Sequence, residues 1–182
     1  MTKHHHLVAQ TVTAANGEIV GRVRMQKVFY LLEQLGLGSG LSFSYHHYGP
    51  YSRALDEAID ASKAFDGLKE EMRNRVSDGA PFSVFIAQQK ANSADGKIGN
   101  ISAGDAAVLL ERMKAASSTV IELAATIHWL ATKECVPDWR SELRRRKGVK
   151  TEGGRTEQAI ALLDQLGLVA EIPMALPHAG AA

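Results

Sequence analysis

The chain lacks most of the features that mark a specialised protein class. A single cysteine, Cys135, stands among 182 residues, which excludes an internal disulfide and fits a reducing compartment. Charge of one sign is missing too. With 21 basic against 20 acidic side chains the formal charge is +1, so any binding to nucleic acid or anionic lipid must come from a local patch. No apolar run reaches the roughly 18 residues that a bilayer-spanning helix needs. Met1-Thr2-Lys3-His4-His5-His6 leads into a mostly polar stretch without the apolar core of a signal peptide, so the expected location is the cytoplasm. There is no internal repeat and no break in composition. The expectation is one globular domain over residues 1–172, with a loose tail over 173–182 that carries Pro173, Pro177, Gly180 and a run of alanine.

What is present is helical periodicity interrupted by turn formers. Leu7 to Asn16 reads as a short helix stopped by Asn16-Gly17. Val23 to Leu35 places Met25, Val28, Phe29, Leu32 and Leu35 at the spacing of three and four that buries one helical face. Leu41 to Tyr48 reads as a short extended piece. The helix that follows is expected to run from Pro50, a residue suited to a first helical position, to Phe65. Phe82, Val84 and Ile86 alternate strictly after the turn-rich Ser77-Asp78-Gly79-Ala80-Pro81, which predicts a hairpin. Its first arm, from Leu68, equally suits an extension of the preceding helix.

Ser102-Ala103-Gly104-Asp105 matches a capping box. From there Ala106, Leu109, Met113, Ala116, Val120, Leu123, Ile127 and Leu130 form a stripe that fits either intramolecular core or a coiled-coil seam between two copies. The pair Thr119 and Glu122 offers a restart signal within it. Two further helices are expected, one after Val136-Pro137-Asp138 to about Lys147 and one from Arg155 to Leu166, with Ala159, Leu162, Leu163 and Leu166 inward. The fold class is thus mainly α within α+β: a winged-helix-like N-terminal half, a small β-hairpin and a helical C-terminal half.

Chemistry-bearing constellations are sparse. Cys135 and His128 are two helical turns apart, roughly 10 Å, whereas a thiolate–imidazole pair needs about 3 Å. His46 and His47 are neighbours in an extended stretch and point to opposite faces. His4-His5-His6 would take up a transition metal only opportunistically, as a mobile terminus. Gly36-Leu37-Gly38-Ser39-Gly40 follows a helix and feeds an extended piece, the reverse of a phosphate loop, so it is a turn. No catalytic residue, cofactor or metal ligand is assigned, and the expectation is a protein that is not an enzyme.

Two basic clusters remain. Arg22, Arg24 and Lys27 lie in the first turns of a helix, where positive charge opposes the dipole, and they need a carboxylate elsewhere or an anionic partner. Arg144-Arg145-Arg146-Lys147 is a candidate anion patch, although a helix C-terminus welcomes the same charges.

The segment Arg24-Met25-Gln26-Lys27-Val28-Phe29-Tyr30, followed about twenty positions later by Tyr48-Gly49-Pro50-Tyr51, resembles the paired motifs of the Panacea (SocA-like) antitoxin domain. The aromatic-Tyr-Gly-Pro-aromatic-Ser form is also similar to that of the uncharacterised YwgA-like group. The resemblance spans about residues 20–65 and departs from the Panacea pattern at Tyr51-Ser52. It implies a helical domain that binds a protein partner, either a toxin encoded nearby or a toxin presented to a protease, with Arg24, Gln26, Lys27, Tyr30, Tyr48, Gly49, Pro50 and Tyr51 as motif or contact residues.

Residue chemistry supplies a structural role for the same set. Lys27 is expected to cap carbonyls of the Tyr48-Gly49-Pro50 turn, with Tyr30 or Tyr48 adding a hydroxyl to the network. The alternative function, a winged-helix DNA-binding regulator, would send the helix after Pro50 into the major groove. Its Arg53, Asp56, Glu57, Asp60 and Lys63 are net acidic, the wrong sign for a phosphate backbone. Nucleic acid is therefore not favoured as a partner.

Overall fold

Two helices buried on almost every side organise the computed structural model, which describes residues 4–88, 91 and 95–173. The first, α2 (Arg22–Gln34), buries every residue from Met25 to Leu32. It follows α1 (His4–Ala14) and the short strand β1 (Glu18–Val20). Between α1 and β1 the chain reverses through Asn16 at φ 58° and Gly17 at φ 84°, the stop expected from the sequence. The helix α1 begins earlier than expected, so His4, His5 and His6 form its first turn rather than a mobile terminus.

A two-stranded ribbon comes next, β2 (Ser44–His46) against β3 (Gly49–Tyr51), with Tyr45 opposite Pro50. Pro50 is thus a strand residue, and the helix α3 (Arg53–Phe65) starts three residues later than the sequence suggested. Ser52 caps it by accepting the Leu55 N–H, leaving Pro50 extended with its carbonyl free for a side chain of α2.

The strands β4 (Leu68–Asn74) and β5 (Pro81–Ala87) form the expected hairpin, in register from Leu68 opposite Ala87 to Asn74 opposite Pro81. The first arm is therefore strand and not helix. β1 joins the other side of β5, giving an antiparallel sheet in the order β1-β5-β4. Two residue pairs, β6 (Lys97–Ile98) and β7 (Ile101–Ser102), form a second small ribbon.

The stripe from Ala106 to Leu130 is carried by two helices, α4 (Ala103–Ala115) and α5 (Ser118–Thr132). Ala116 is extended at ψ 146°, and Ser117 caps α5 by accepting the Val120 N–H. The restart is thus at Ser117, two residues before Thr119. The stripe is core: Leu123, Ile127 and Leu130 are 0% exposed, which withdraws them from any seam between copies. The chain then forms α6 (Trp139–Lys147), a 3-10 turn (Gly148–Thr151) and α7 (Arg155–Gln165), near the expected boundaries.

The protein is a mainly helical α+β domain in which α5 packs against α2, α6, α7 and β3. No helix among the described residues is long and apolar enough to cross a membrane. The Trp139 indole N–H donates to Pro173 O at 2.8 Å, so the expected tail begins with an anchored residue, and residues 174–182 lie outside the described residues.

Candidate functional site

The β2–β3 ribbon sits against the two buried helices, and polar side chains of α2 and α6 hold it. Gln26, 3% exposed on α2, reads the backbone of Ser52 twice: Nε2 donates to Ser52 O at 2.9 Å, and Oε1 accepts from Ser52 N at 2.8 Å. Its Nε2 also reaches Asp56 Oδ1 at 2.9 Å, while the Tyr51 hydroxyl donates to Asp56 Oδ2 at 2.8 Å. Lys27, one turn position on, donates from Nζ to Pro50 O at 2.6 Å. The sequence expectation that Lys27 caps this turn is met.

Gly49 is the point of closest approach. Its φ of 92° lies in the left-handed region, and a Cβ there would stand 2.8 Å from Thr126 Oγ1 of α5. The glycine of Tyr48-Gly49-Pro50 is required twice over, by conformation and by space.

Behind the ribbon lies a buried charge cluster that the sequence reading missed. Glu122 of α5 accepts from Lys147 Nζ at 2.9 Å and from Lys150 Nζ at 2.9 and 3.0 Å. Lys147 also donates to His47 O at 3.0 Å, so α6 grips the ribbon from the far side. Burial pushes the Lys27 ammonium down to about 8, with nearby Lys147 and Lys150 acting in the same direction and Glu122 against it. Burial also lowers the Lys147 ammonium. The available signal was Glu122 itself, a lone carboxylate within the apolar run from Val120 to Ile127.

Tyr30 and Tyr48 do not join this network. The Tyr30 hydroxyl meets His128 Nδ1 at 2.9 Å, and His128 Nε2 meets Glu171 Oε2 at 3.1 Å. One tautomer serves both contacts, with Nδ1 accepting from the phenol and Nε2–H donating to the carboxylate. Tyr48 is 50% exposed, and Lys150 Nζ lies 5.3 Å from its ring centroid.

The basic clusters are largely satisfied within the chain. Arg22 lies 3.4–3.5 Å from Asp56, Asp60 and Glu70. Arg24 donates to Met113 O at 2.9 Å, at the carboxyl end of α4, and to Ser118 Oγ at 3.2 Å. Of the candidate anion patch, Arg145 pairs with Glu142, Arg146 bridges Glu142 and Glu134, and Lys147 is buried on Glu122. Hydrogen bonds from Arg145 and Arg146 hold the Glu142 carboxyl down to about 2. Only Arg144 of the four stands clear of these carboxylates, beside Arg140, Thr151, Glu152, Thr156 and Glu157 in a cleft of about 180 Å³.

The exposed part of the site is the ribbon tip and what adjoins it. His46, His47 and Tyr48 are exposed. Between the tip and α2 opens a cleft of about 170 Å³, lined by Arg22, Val23, Gln26, Lys27 and Asp56 on one side and His46, Tyr48, Gly49 and Tyr51 on the other, with mostly carbon atoms facing the opening.

No family model matches the chain. The chain is similar to the uncharacterised protein YwgA of Bacillus subtilis (strain 168), with 25% identity over 122 residues, which are 67% of this chain and 72% of the relative.

Proposed function

We propose that the domain is a non-catalytic protein-binding module, of the kind expected from the Panacea-like motifs, which neutralises a toxin or presents it to a protease through the β2–β3 ribbon. One observation carries this reading. The motif residues Gln26, Lys27, Gly49 and Pro50 are spent on rigidifying a ribbon whose tip, with Tyr48 half-exposed, borders a cleft walled mostly by carbon. A rigid presenting loop with an amphipathic aromatic beside such a small recess suits insertion of a partner's side chain, because little conformational entropy is lost on binding.

Co-expression with the product of the adjacent gene tests it. A stable complex is expected, weakened by Tyr48→Ala with no change in the stability of the free domain. Failure to isolate a complex, together with no rescue of growth from a toxic neighbour, would sink the reading.

A second reading draws support from topology. Apart from the β2–β3 ribbon inserted between α2 and α3, the order α1, β1, α2, α3, β4, β5 with strands arranged β1-β5-β4 is like that of a winged helix, in which α3 would enter DNA and the β4–β5 hairpin would serve as the wing. The charges oppose it. On α3 Arg53 is paired with Glu57 and Lys63 with Asp60; on the hairpin Arg73 is paired with Glu71 and Arg75 with Asp78. No retardation of duplex DNA is expected at physiological salt, and a salt-sensitive submicromolar complex would reverse the preference.

A further inference from the structure

The amino end of α1 meets the carboxyl end of α3 at a cluster that plays no part in the ribbon. His5 Nδ1 lies 2.5 Å from Asp66 Oδ2, and His6 Nδ1 lies 2.7 Å from Asp66 Oδ1. One ligand atom from each of the three residues falls within 4.8 Å of the other two. Successive side chains on a helix diverge by about 100°. Here the two imidazole rings nevertheless converge, with centroids 4.6 Å apart and both Nδ1 atoms turned to one carboxylate.

That carboxylate is 7% exposed, and among the described residues its ionic contacts are these two imidazoles. The nearest basic residues in sequence, Lys63 and Lys69, are engaged by other carboxylates, Lys63 by Asp60 and Glu70 and Lys69 by Glu71. Asp66 is also the C-cap of α3, where the last carbonyls add partial negative charge. A shielded anion at a negative helix end calls for positive charge, and two imidazole nitrogens with one carboxylate are the donor set of a borderline divalent ion.

We propose that His5, His6 and Asp66 form a three-ligand site for a divalent transition ion of the zinc class, which pins the first turn of α1 to the end of α3. Zinc takes such ligands at about 2.0–2.2 Å in a tetrahedron whose edges are about 3.4 Å, so with one Asp66 oxygen as ligand its short imidazole contact widens by less than about 1 Å, while separations of up to 4.8 Å within the set close by up to about 1.5 Å. Each ligating imidazole binds through an unprotonated Nδ1 and keeps its one ring proton on Nε2, and a fourth position stays open to water. His4 is not a ligand, since its Nε2 is 3.0 Å from Ser39 O. Because Asp66 lies 61 residues from His5 in sequence, complete coordination favours the folded chain.

Titration of the metal-free full-length chain with zinc chloride, followed by calorimetry and by thermal unfolding, tests the site. One equivalent is expected to bind and to raise the unfolding midpoint. Asp66→Asn and His6→Ala should each weaken binding by about tenfold or more, on the scale of lost metal-site contacts, and His4→Ala should leave it unchanged. His6 has a side chain 58% exposed, so His6→Ala retains the fold and decides the matter should Asp66→Asn fail to fold. Absence of saturable one-to-one binding overturns the proposal. So does an affinity that survives Asp66→Asn, or one that falls as far with His4→Ala as with His6→Ala, because either result assigns the ion to the bare run of three histidines.

Discussion

Gln26 does in one side chain what a turn of backbone would otherwise do: it offers Ser52 both a donor and an acceptor, as a neighbouring strand would. Removing it strands a buried N–H and a buried C=O, each of which costs free energy when left without a partner. Gln26→Ala is therefore expected to destabilise the domain by about 2–3 kcal/mol, read from the midpoint of denaturant unfolding.

Lys27 makes a different prediction, one of pH. Its ammonium is lowered from the ordinary 10.5 to about 8 by burial, so the folded chain releases this proton before the unfolded chain does. Below pH 8 the folded state carries the unfavourable buried charge in full. Between pH 8 and 10.5 the unfolded chain binds more protons, and stability rises with pH, by up to about 3 kcal/mol across the window. Lys147, also lowered by burial, adds to the same slope. Urea midpoints are expected to be higher at pH 9.5 than at pH 7.5, and the difference should shrink in Lys27→Met.

At the scale of elements, the boundaries followed local chemistry where local chemistry was decisive. The Asn16-Gly17 stop and the β4–β5 hairpin were legible because turn residues act on their own neighbours. Pro50 was misassigned because its preference for a helix start is weaker than the tertiary claim on its carbonyl by Lys27. The same limit applies to the site. That Gln26 and Lys27 serve the Tyr48-Gly49-Pro50 turn was readable from polar residues on an apolar face. The Glu122 cluster was not, since its partners lie 25 and 28 residues away.

The break between α4 and α5 makes the caps separable by experiment. Ser117→Ala is expected to cost about 1 kcal/mol, the usual value of an N-cap, and Thr119→Ala close to nothing, measured by thermal unfolding of the two variants side by side.

For the molecule as a whole, the two buried helices are the frame on which everything else is hung. Leu123 and Ile127 are closed off within it at 0% exposure. Their replacement by asparagine is expected to unfold the domain, lost near-ultraviolet circular dichroism being the measure. A folded, smaller species in light scattering would instead assign the stripe to an interface between copies.

The position of the ribbon has a consequence for how the protein is made. Residues 44–51 lean on α2, which precedes them, and on Thr126, Lys147 and the Glu122 cluster, which leave the ribosome some 75 to 100 residues later. Domains form vectorially as chains emerge, and contacts that span such distances close last. A nascent chain halted before α5 carries the Tyr-Gly-Pro motif without the back wall that shapes it. The final shape of the ribbon is thereby coupled to nearly complete synthesis of the chain.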